Sequence, residues 1–221
     1  MKSRIPLYAL RLLLIALALA AWFGTQTLIG SRPFNGSIDD GVLDLLAPAN
    51  IYLQSHVAVR DALLISSSAV IDLLSLFVLG RAVFGRSLRP FVGLIILFAL
   101  RQACQAVCVL PAPPGMIWPK EGPGFPSLLV TYGVGNDLFF SGHTALAVFG
   151  ATELVRLHRW LIPVRIALAL FEMVTVLMLR AHWSMDVYAG AVTALLVAMI
   201  AQPIADPLDR LLGSRKSTTI E

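Results

Sequence analysis

Six long apolar runs most constrain how this chain of 221 residues can fold. A helix rises about 1.5 Å per residue, so about 20 apolar residues cross the roughly 30 Å hydrocarbon core of a bilayer. Runs of this kind predict membrane-spanning helices, although the fourth and fifth runs are short and depend on helix tilt. The candidate spans are residues 7–29, 61–80, 90–110, 143–158, 163–180 and 186–205.

The composition agrees with a membrane protein. Hydrophobic residues make up 57% of the chain and charged residues 14%, far from the balance of a soluble domain. The net charge of +4 comes from short basic groups between apolar runs, a pattern typical of membrane topology and not of nucleic-acid binding. We predict an all-α, polytopic membrane helical bundle of six transmembrane helices, with residues 1–221 forming one domain. The oligomeric state is left open.

The distribution of Lys and Arg predicts the orientation of the bundle. Basic residues concentrate in alternate connections, and the remaining connections hold only Arg32, Arg60, Lys120 and Arg180. By the positive-inside rule, both termini are cytoplasmic and the loops at 31–60, 111–142 and 180–186 face outward. The first run also resembles a cleaved signal peptide, but a retained anchor is favoured because its apolar stretch continues through Leu28.

The stretch NDLFFSGHTA, residues 136–145, places Ser141, Gly142 and His143 at the predicted outer end of the fourth span. The first turn of a helix has unpaired N–H groups and the positive end of the helix dipole, which together suit a phosphate. Gly142 lets a ligand approach the backbone, and the Ser141 hydroxyl can cap the helix or donate to a phosphate oxygen. Taken alone, SGHT is an ordinary capping sequence with an interfacial histidine.

The stretch LRAHWSMDVYAG, residues 179–190, spaces His182 and Asp186 as HxxxD before the last span. If the helix begins near Ser184, the Asp186 carboxylate can hold one ring nitrogen of His182 protonated, which leaves the other nitrogen as a base or nucleophile. An interfacial histidine and a helix-start anion explain this motif equally well when it is taken alone. Because both motifs are predicted at one outer face, we favour a catalytic site.

A metal centre is less favoured, since the outer face offers only His56 and Asp137 as further ligands. Four other charges are predicted near the middle of the bilayer, where an isolated charge is costly. We expect Arg101 to pair with one or more acids, and the resulting layer of charges to form the floor of a polar cavity. Alternatively, the layer only holds helices together. The acids are Asp72, Glu153 and Glu172.

The two histidine motifs, FFSGHT with Asp137 before it and HWSMD, resemble the signature motifs of the sphingomyelin synthase branch of the type 2 phosphatidic acid phosphatase superfamily. Arg101, followed by LPAPPG, is similar to the Arg and Leu-Pro-x-Pro-Gly turn of that branch. The resemblance covers roughly residues 101–190. It implies that His182 attacks phosphorus, that Asp186 orients it, and that His143 protonates the departing lipid oxygen, without a metal or other cofactor.

Departures from the phosphatase pattern favour the synthase branch. The phosphatase pattern has a lysine, six further residues and then Arg-Pro, and here Ala82 occupies the lysine position before Arg89. The phosphatases also have an arginine six residues before the histidine of the last motif, and here that residue is Val176. Arg180 is a candidate replacement as a phosphate ligand. The residues predicted to bind substrate are therefore Ser141, Gly142, Arg101 and Arg180.

We predict an integral membrane enzyme with its active site on the outer (periplasmic, extracellular or lumenal) face. It would move a phospho-head-group from a phospholipid donor to a lipid hydroxyl acceptor, either ceramide or diacylglycerol, through a phosphohistidine intermediate. A lipid phosphatase is the alternative, because the outcome depends on whether water is excluded from the site. A non-enzymatic transporter or assembly factor is the third hypothesis, and it predicts that both histidines are dispensable.

Overall fold

The computed structural model describes residues 20, 38–118 and 138–211. The chain divides into two units, Met1–Asp39 and Asp40–Glu221, and every element below belongs to the second. Most of the first predicted span and the segment 119–137, which includes Asp137, lie outside the described residues. That the chain forms a single domain stays a prediction.

The described part of the second unit is all-α, as predicted. Two short helices, α1 (Gly41–Leu45) and α2 (Ala47–Ser55), precede five longer ones. A proline in the first turn of α2, α4 and α6 favours the start of each helix, because its missing N–H would have no partner there. The longer helices are α3 (Val57–Phe84), α4 (Arg89–Val107), α5 (Gly142–Val155), α6 (Ile162–Met178) and α7 (Ser184–Leu211).

The prediction of six spans is confirmed only in part. Three helices of the described residues, α3, α4 and α7, are long and apolar enough to cross a membrane, judged by length and composition. Helices α5 and α6 have only 14 and 17 residues and are shorter than these three helices. Helix α5 ends before the predicted limit because a turn and the 3-10 segment Arg159–Leu161 follow it, and Pro163 then starts α6.

Helix α5 lies at the centre of the bundle and contacts α3, α4, α6 and α7. All of its residues from Thr144 to Ala151 are buried. Close packing against α4 depends on Gly93, where an added Cβ would lie 2.2 Å from the ring of Phe149. The central helix is therefore held on several sides, and its N-terminal residues have a fixed position relative to the neighbouring helices.

A buried ion pair lies at the end of the bundle where α4 begins and α5 ends. Arg89 forms a salt bridge with Glu153 and donates from Nη2 to the carbonyl of Ala198 at 2.9 Å. The Arg81 guanidinium lies 3.8 Å from the same carboxylate. Arg89 and Glu153 are only 3% and 0% exposed, so this cluster fastens helices together far from the first turn of α5.

Two of the three acids expected to pair with Arg101 have other partners. Glu153 pairs with Arg89, and Glu172 accepts a hydrogen bond of 2.7 Å from Ser67 Oγ. Helix α5 ends two residues after Glu153, so this carboxylate lies near the basic end of the bundle and not at its middle. Helix α4 ends sooner than the predicted third span, which brings Arg101 closer to the first turn of α5.

Candidate active site

The first turn of α5 carries three of the predicted site residues. Ser141 is the N-cap, and its Oγ accepts a hydrogen bond of 3.3 Å from the N–H of Thr144. Gly142 and His143 follow within the first helical turn, where backbone N–H groups have no partner inside the helix. Within the described part of the chain, Nε2 of His143 is buried without a hydrogen-bond partner. A group that forms a hydrogen bond with this nitrogen would therefore displace no partner among the described residues.

Arg101 of α4 lies beside this turn. Its Nε donates to the carbonyl of Phe140 at 3.2 Å. The lack of a side chain at Gly142 makes this approach possible, because an added Cβ would lie 3.0 Å from Nε of Arg101. The guanidinium adds positive charge to the N-terminal end of the helix dipole, and the two together favour an anion. Arg101, Ser141 and Gly142 are thus brought together.

His182 and Asp186 lie at the start of α7, as the HxxxD spacing predicts. Nδ1 of His182 is 3.6 Å from Oδ2 of Asp186, an ion-pair distance that is slightly too long for a hydrogen bond. The same Oδ2 accepts a bond of 3.0 Å from the N–H of Trp183, which holds the carboxylate in place. Asp186 is fully buried and His182 is 7% exposed, so the carboxylate acts on the ring with little screening by solvent.

A main-chain hydrogen bond joins the two motifs directly. The N–H of Ser141 donates to the carbonyl of Asp186 at 3.0 Å. The close approach of α7 to α5 depends on Gly190, where an added Cβ would lie 2.7 Å from the carbonyl oxygen of Ser141. Gly190 was not among the predicted site residues, although a glycine one helical turn after Asp186, on the same helix face, is a signal of close helix packing.

Replacement of Gly190 by alanine is expected to push Ser141 and the first turn of α5 away from α7. The neighbouring atom is backbone and cannot rotate aside, so the shift should move the motifs apart. We expect turnover to fall about 10²-fold, the size of effect that a small misplacement of reacting groups produces. Gly80→Ala on α3 is the matched control, because a Cβ at Gly80 meets nothing within 4 Å. Equal activity of the two variants would contradict this role of Gly190.

The turn that leads to His182 contains an unusual backbone conformation at Arg180, whose φ is 51°. The N–H of Ala181 donates to Val176 O at 2.9 Å and that of Arg180 to Leu177 O at 3.0 Å. These two bonds form a Schellman motif, in which glycine is usual at the left-handed position. An arginine there costs about 1–2 kcal/mol, so the side chain must provide compensating contacts.

The compensating contacts of Arg180 are made with the backbone of two other segments. Nη1 donates to the carbonyl of Pro114 at 2.7 Å, and Nη2 donates to that of Leu43 at 3.1 Å. Arg180 does not line the cavity described below, in contrast to Arg101. Its predicted role as a phosphate ligand stays a prediction, while the contacts present here fasten the His182 turn to its surroundings.

Arg180→Ala and Arg180→Gly both remove the guanidinium, but only glycine adopts a positive φ without strain. We expect the alanine variant to lose about 1 kcal/mol more of the free energy of unfolding than the glycine variant. Thermal unfolding in detergent micelles measures this difference. Equal losses would indicate that the turn relaxes to another conformation when the guanidinium is removed.

The segment 111–118 packs on the same turn. The N–H of Ile117 donates to Leu179 O at 2.8 Å, and Nε1 of Trp183 donates to Pro111 O at 2.8 Å. The ring of Trp118 lies edge-on to that of His143, with 5.4 Å between the centroids. This proline-rich loop therefore covers the site in its described part, and its rigidity limits the movement of both histidines.

Two polar residues near the start of the second unit bind the end of α6 and the start of α7, and neither was among the predicted site residues. Oδ2 of Asp40 accepts a bond of 2.7 Å from the N–H of Ser184, where α7 begins. Nδ2 of Asn50 donates to the carbonyl of Met178 at 2.9 Å, where α6 ends. An asparagine among apolar residues was the available signal in the sequence. In the structure Asn50 is only 3% exposed, and a buried amide needs hydrogen-bond partners.

Both histidines line one cavity of about 290 Å³. Its polar end is formed by Arg101, Gly142, His143 and His182, and the rest of its wall is mostly apolar. His56 is not part of it; this exposed residue stacks on Tyr52 with a centroid distance of 3.8 Å. Among the described residues, no group of three or more His, Cys, Asp or Glu side chains is arranged to hold a metal ion.

The family model AtPDCT1/2 matches residues 42–203, which include the whole candidate site. Its family, phosphatidylcholine:diacylglycerol cholinephosphotransferase, differs from the sphingomyelin synthase branch, so the expected membership of that branch is wrong. The resemblance rested on two short histidine motifs, whereas the family match extends over most of the chain. No curated protein and no solved structure matches the chain significantly.

Proposed function

We propose the following function from the fact that the chain belongs to the AtPDCT1/2 family. The protein is a membrane enzyme that moves phosphocholine from phosphatidylcholine to diacylglycerol. Family membership supports the transfer of a phospho-head-group between lipids. The observation that carries the proposal for this site is that His143 and His182 line one cavity together with Arg101 and Gly142. The family supports diacylglycerol as the acceptor and gives no support to ceramide.

The phosphate group of the donor is proposed to bind at the first turn of α5. The backbone N–H groups of Gly142 and His143 and the guanidinium of Arg101 provide positive potential there. These groups are fixed before the substrate arrives, because Ser141 caps the helix and the main chain of Ser141 is bonded to Asp186. Fixed donors can stabilise the charge that develops on the phosphoryl oxygens without reorganising.

In the first step, Nε2 of His182 attacks phosphorus, and the bond between phosphorus and the glycerol oxygen breaks. His143, protonated when the anionic phosphate lies beside it, gives its proton to that oxygen, so diacylglycerol leaves and phosphocholine stays on His182. Asp186 faces Nδ1 of His182 and stabilises the positive charge that forms on the ring. Their distance of 3.6 Å is compatible with this role, because catalytic hydrogen bonds often tighten when a substrate binds.

In the second step, the hydroxyl of a different diacylglycerol attacks phosphorus and gives its proton to neutral His143. The bond between phosphorus and Nε2 of His182 breaks, which releases new phosphatidylcholine and returns both histidines to their starting states. The apolar wall of the cavity supports transfer over hydrolysis, since water is a poor competitor in such a site. A location of the site at the outer face, with cytoplasmic termini, is part of the proposal.

A transfer assay with purified protein in vesicles tests this function. Phosphatidylcholine with a labelled head group is supplied together with diacylglycerol of a different chain length. The expected product is labelled phosphatidylcholine that carries the acyl chains of the acceptor. Release of labelled phosphocholine instead would favour a phosphatase, and the absence of both products would contradict a head-group enzyme. His56→Ala is a suitable control, because His56 lies outside the cavity.

A further inference from the structure

The cavity continues well below the histidines, between α3 and α4. Ile71, Ser75 and Leu79 line it from α3, and Leu94, Leu97 and Phe98 line it from α4. The stretch from Ile71 to Leu79 corresponds to about 12 Å along the helix axis. We call this part the apolar limb. At its far end Leu79 and Phe98 are 42% and 50% exposed, so the limb reaches the surface of the bundle.

The shape and lining of the apolar limb fit part of a lipid. Its wall consists of apolar side chains, with Ser75 as the single hydroxyl among the residues that line the cavity. A volume of about 290 Å³ lies near the lower limit of small-molecule sites, which are about 300–1,000 Å³. The cavity can therefore hold the glycerol region and the beginning of an acyl chain, while the rest of the chain must continue past Leu79 and Phe98.

Ser75 is buried to 97% in the wall of the limb, since its exposure is 3%. Within the described part of the chain its Oγ has no hydrogen-bond partner. Other serines of the same helix are bonded: Ser66 donates to Ala62 O at 2.7 Å, and Ser67 donates to Glu172 at 2.7 Å. A buried hydroxyl without a partner is costly in an apolar environment, so a bound group that accepts its hydrogen bond is favoured.

The depth of Ser75 matches the ester region of a glycerolipid whose phosphate lies at the histidines. Leu74, the neighbour of Ser75, packs on Gly150, where an added Cβ would lie 3.4 Å from the Leu74 side chain. Gly150 is seven residues after His143 on α5, about 10 Å along the helix axis. Both ester carbonyls of a glycerolipid lie a few covalent bonds below the phosphorylated oxygen and are good hydrogen-bond acceptors.

We propose that Ser75 donates a hydrogen bond to an ester carbonyl of the glycerolipid in the apolar limb, and so selects ester-linked over ether-linked lipids. This inference rests on the proposed function, because the phosphate must lie at the histidines. Because His182 carries phosphocholine between the two steps, the donor and the acceptor occupy the same site one after the other. Ser75 therefore acts on both lipids, as a specificity residue that does not touch the reacting atoms.

Binding tests the inference without requiring turnover. Thermal stabilisation of the purified chain in micelles is measured with a short-chain diacylglycerol and with the dialkylglycerol of equal chain length, which lacks carbonyls. The wild-type chain should bind the diacyl lipid roughly two- to ten-fold more tightly, the usual effect of one net hydrogen bond. Ser75→Ala should bind both lipids equally, and Ser66→Ala, whose exposed hydroxyl lies outside the cavity, should keep the preference.

Transfer assays distinguish the two lipids that can contact Ser75. One arm combines a dialkyl phosphocholine donor with a diacyl acceptor, and the other arm reverses the linkages. Each arm should be slower than the all-ester reaction in the wild type, and Ser75→Ala should remove the difference. Ser75→Cys, which has nearly the same size but a weaker donor, serves if the alanine variant folds poorly.

Equal affinity of the wild-type chain for ester and ether lipids would overturn the role of Ser75. A preference that survives in Ser75→Ala would overturn it as well. Transfer without a linkage preference contradicts this inference alone and leaves the proposed function intact. Absence of transfer in every arm contradicts the proposed function, and the binding comparison then decides on Ser75 by itself.

Discussion

Replacement of His182 by alanine is expected to lower the rate of phosphocholine transfer by about 10⁴-fold or more. The imidazole is the proposed nucleophile, and loss of a nucleophile usually removes nearly all of the chemical acceleration. His143→Ala should cost about 10²–10⁴-fold, the contribution of one general acid–base group. The double variant should be little worse than His182→Ala, because groups that act in one step do not contribute additively.

Covalent labelling separates the roles of the two histidines. After incubation with a donor labelled at phosphorus, the protein should carry an acid-labile label that disappears in His182→Ala. The label should still form slowly in His143→Ala, since that variant keeps the nucleophile. His56→Ala should behave as the wild-type chain in both experiments. Labelled protein after loss of His182, or full transfer without it, would contradict the mechanism.

Replacement of Glu153 by leucine is expected to lower the free energy of unfolding by about 3–5 kcal/mol. The change leaves Arg89 buried without its carboxylate, and the unpaired charge carries most of the cost. Arg81 adds a second positive charge at 3.8 Å from the position of that carboxylate. Unfolding in detergent micelles, followed by the loss of helical signal, measures the change.

The double variant Arg89→Met/Glu153→Leu is the control for this prediction. It removes both charges and fills their volume with apolar atoms, so most of the stability should return. Turnover of the purified double variant should be near that of the wild-type chain, because the ion pair lies at the opposite end of the bundle from the histidines. A double variant less stable than Glu153→Leu would show that Arg89 stabilises the fold through other contacts.

The all-α fold could be predicted from the apolar runs, but the lengths of the helices could not. Hydropathy measures how apolar a run is, and it does not locate the residue at which the backbone leaves the helix. Helix α5 stops at Val155 although apolar and basic residues continue, since the following turn leads to Pro163. The same error placed Glu153 at mid-depth and made it a candidate partner of Arg101, whereas it pairs with Arg89.

The convergence of the two histidine motifs could be predicted from topology, because two consecutive antiparallel helices return the chain to the same end. The sequence marks Gly190 and Asn50 as unusual, but their partners could not be predicted, because they lie far away in sequence. Ser75 could not be distinguished from the other serines of α3 either. Only the three-dimensional structure shows that its Oγ has no hydrogen-bond partner among the described residues. The short motifs also gave the wrong family, because they cover a few residues, whereas the family match covers residues 42–203.

The bond between the N–H of Ser141 and the carbonyl of Asp186 involves no side chain. Substitution at either position can therefore alter reactivity without separating the two segments, provided that Gly190 keeps α7 close. A site of this kind can change its chemistry by single substitutions during evolution. Main-chain atoms hold the two segments together, whereas side-chain atoms provide the reactive groups.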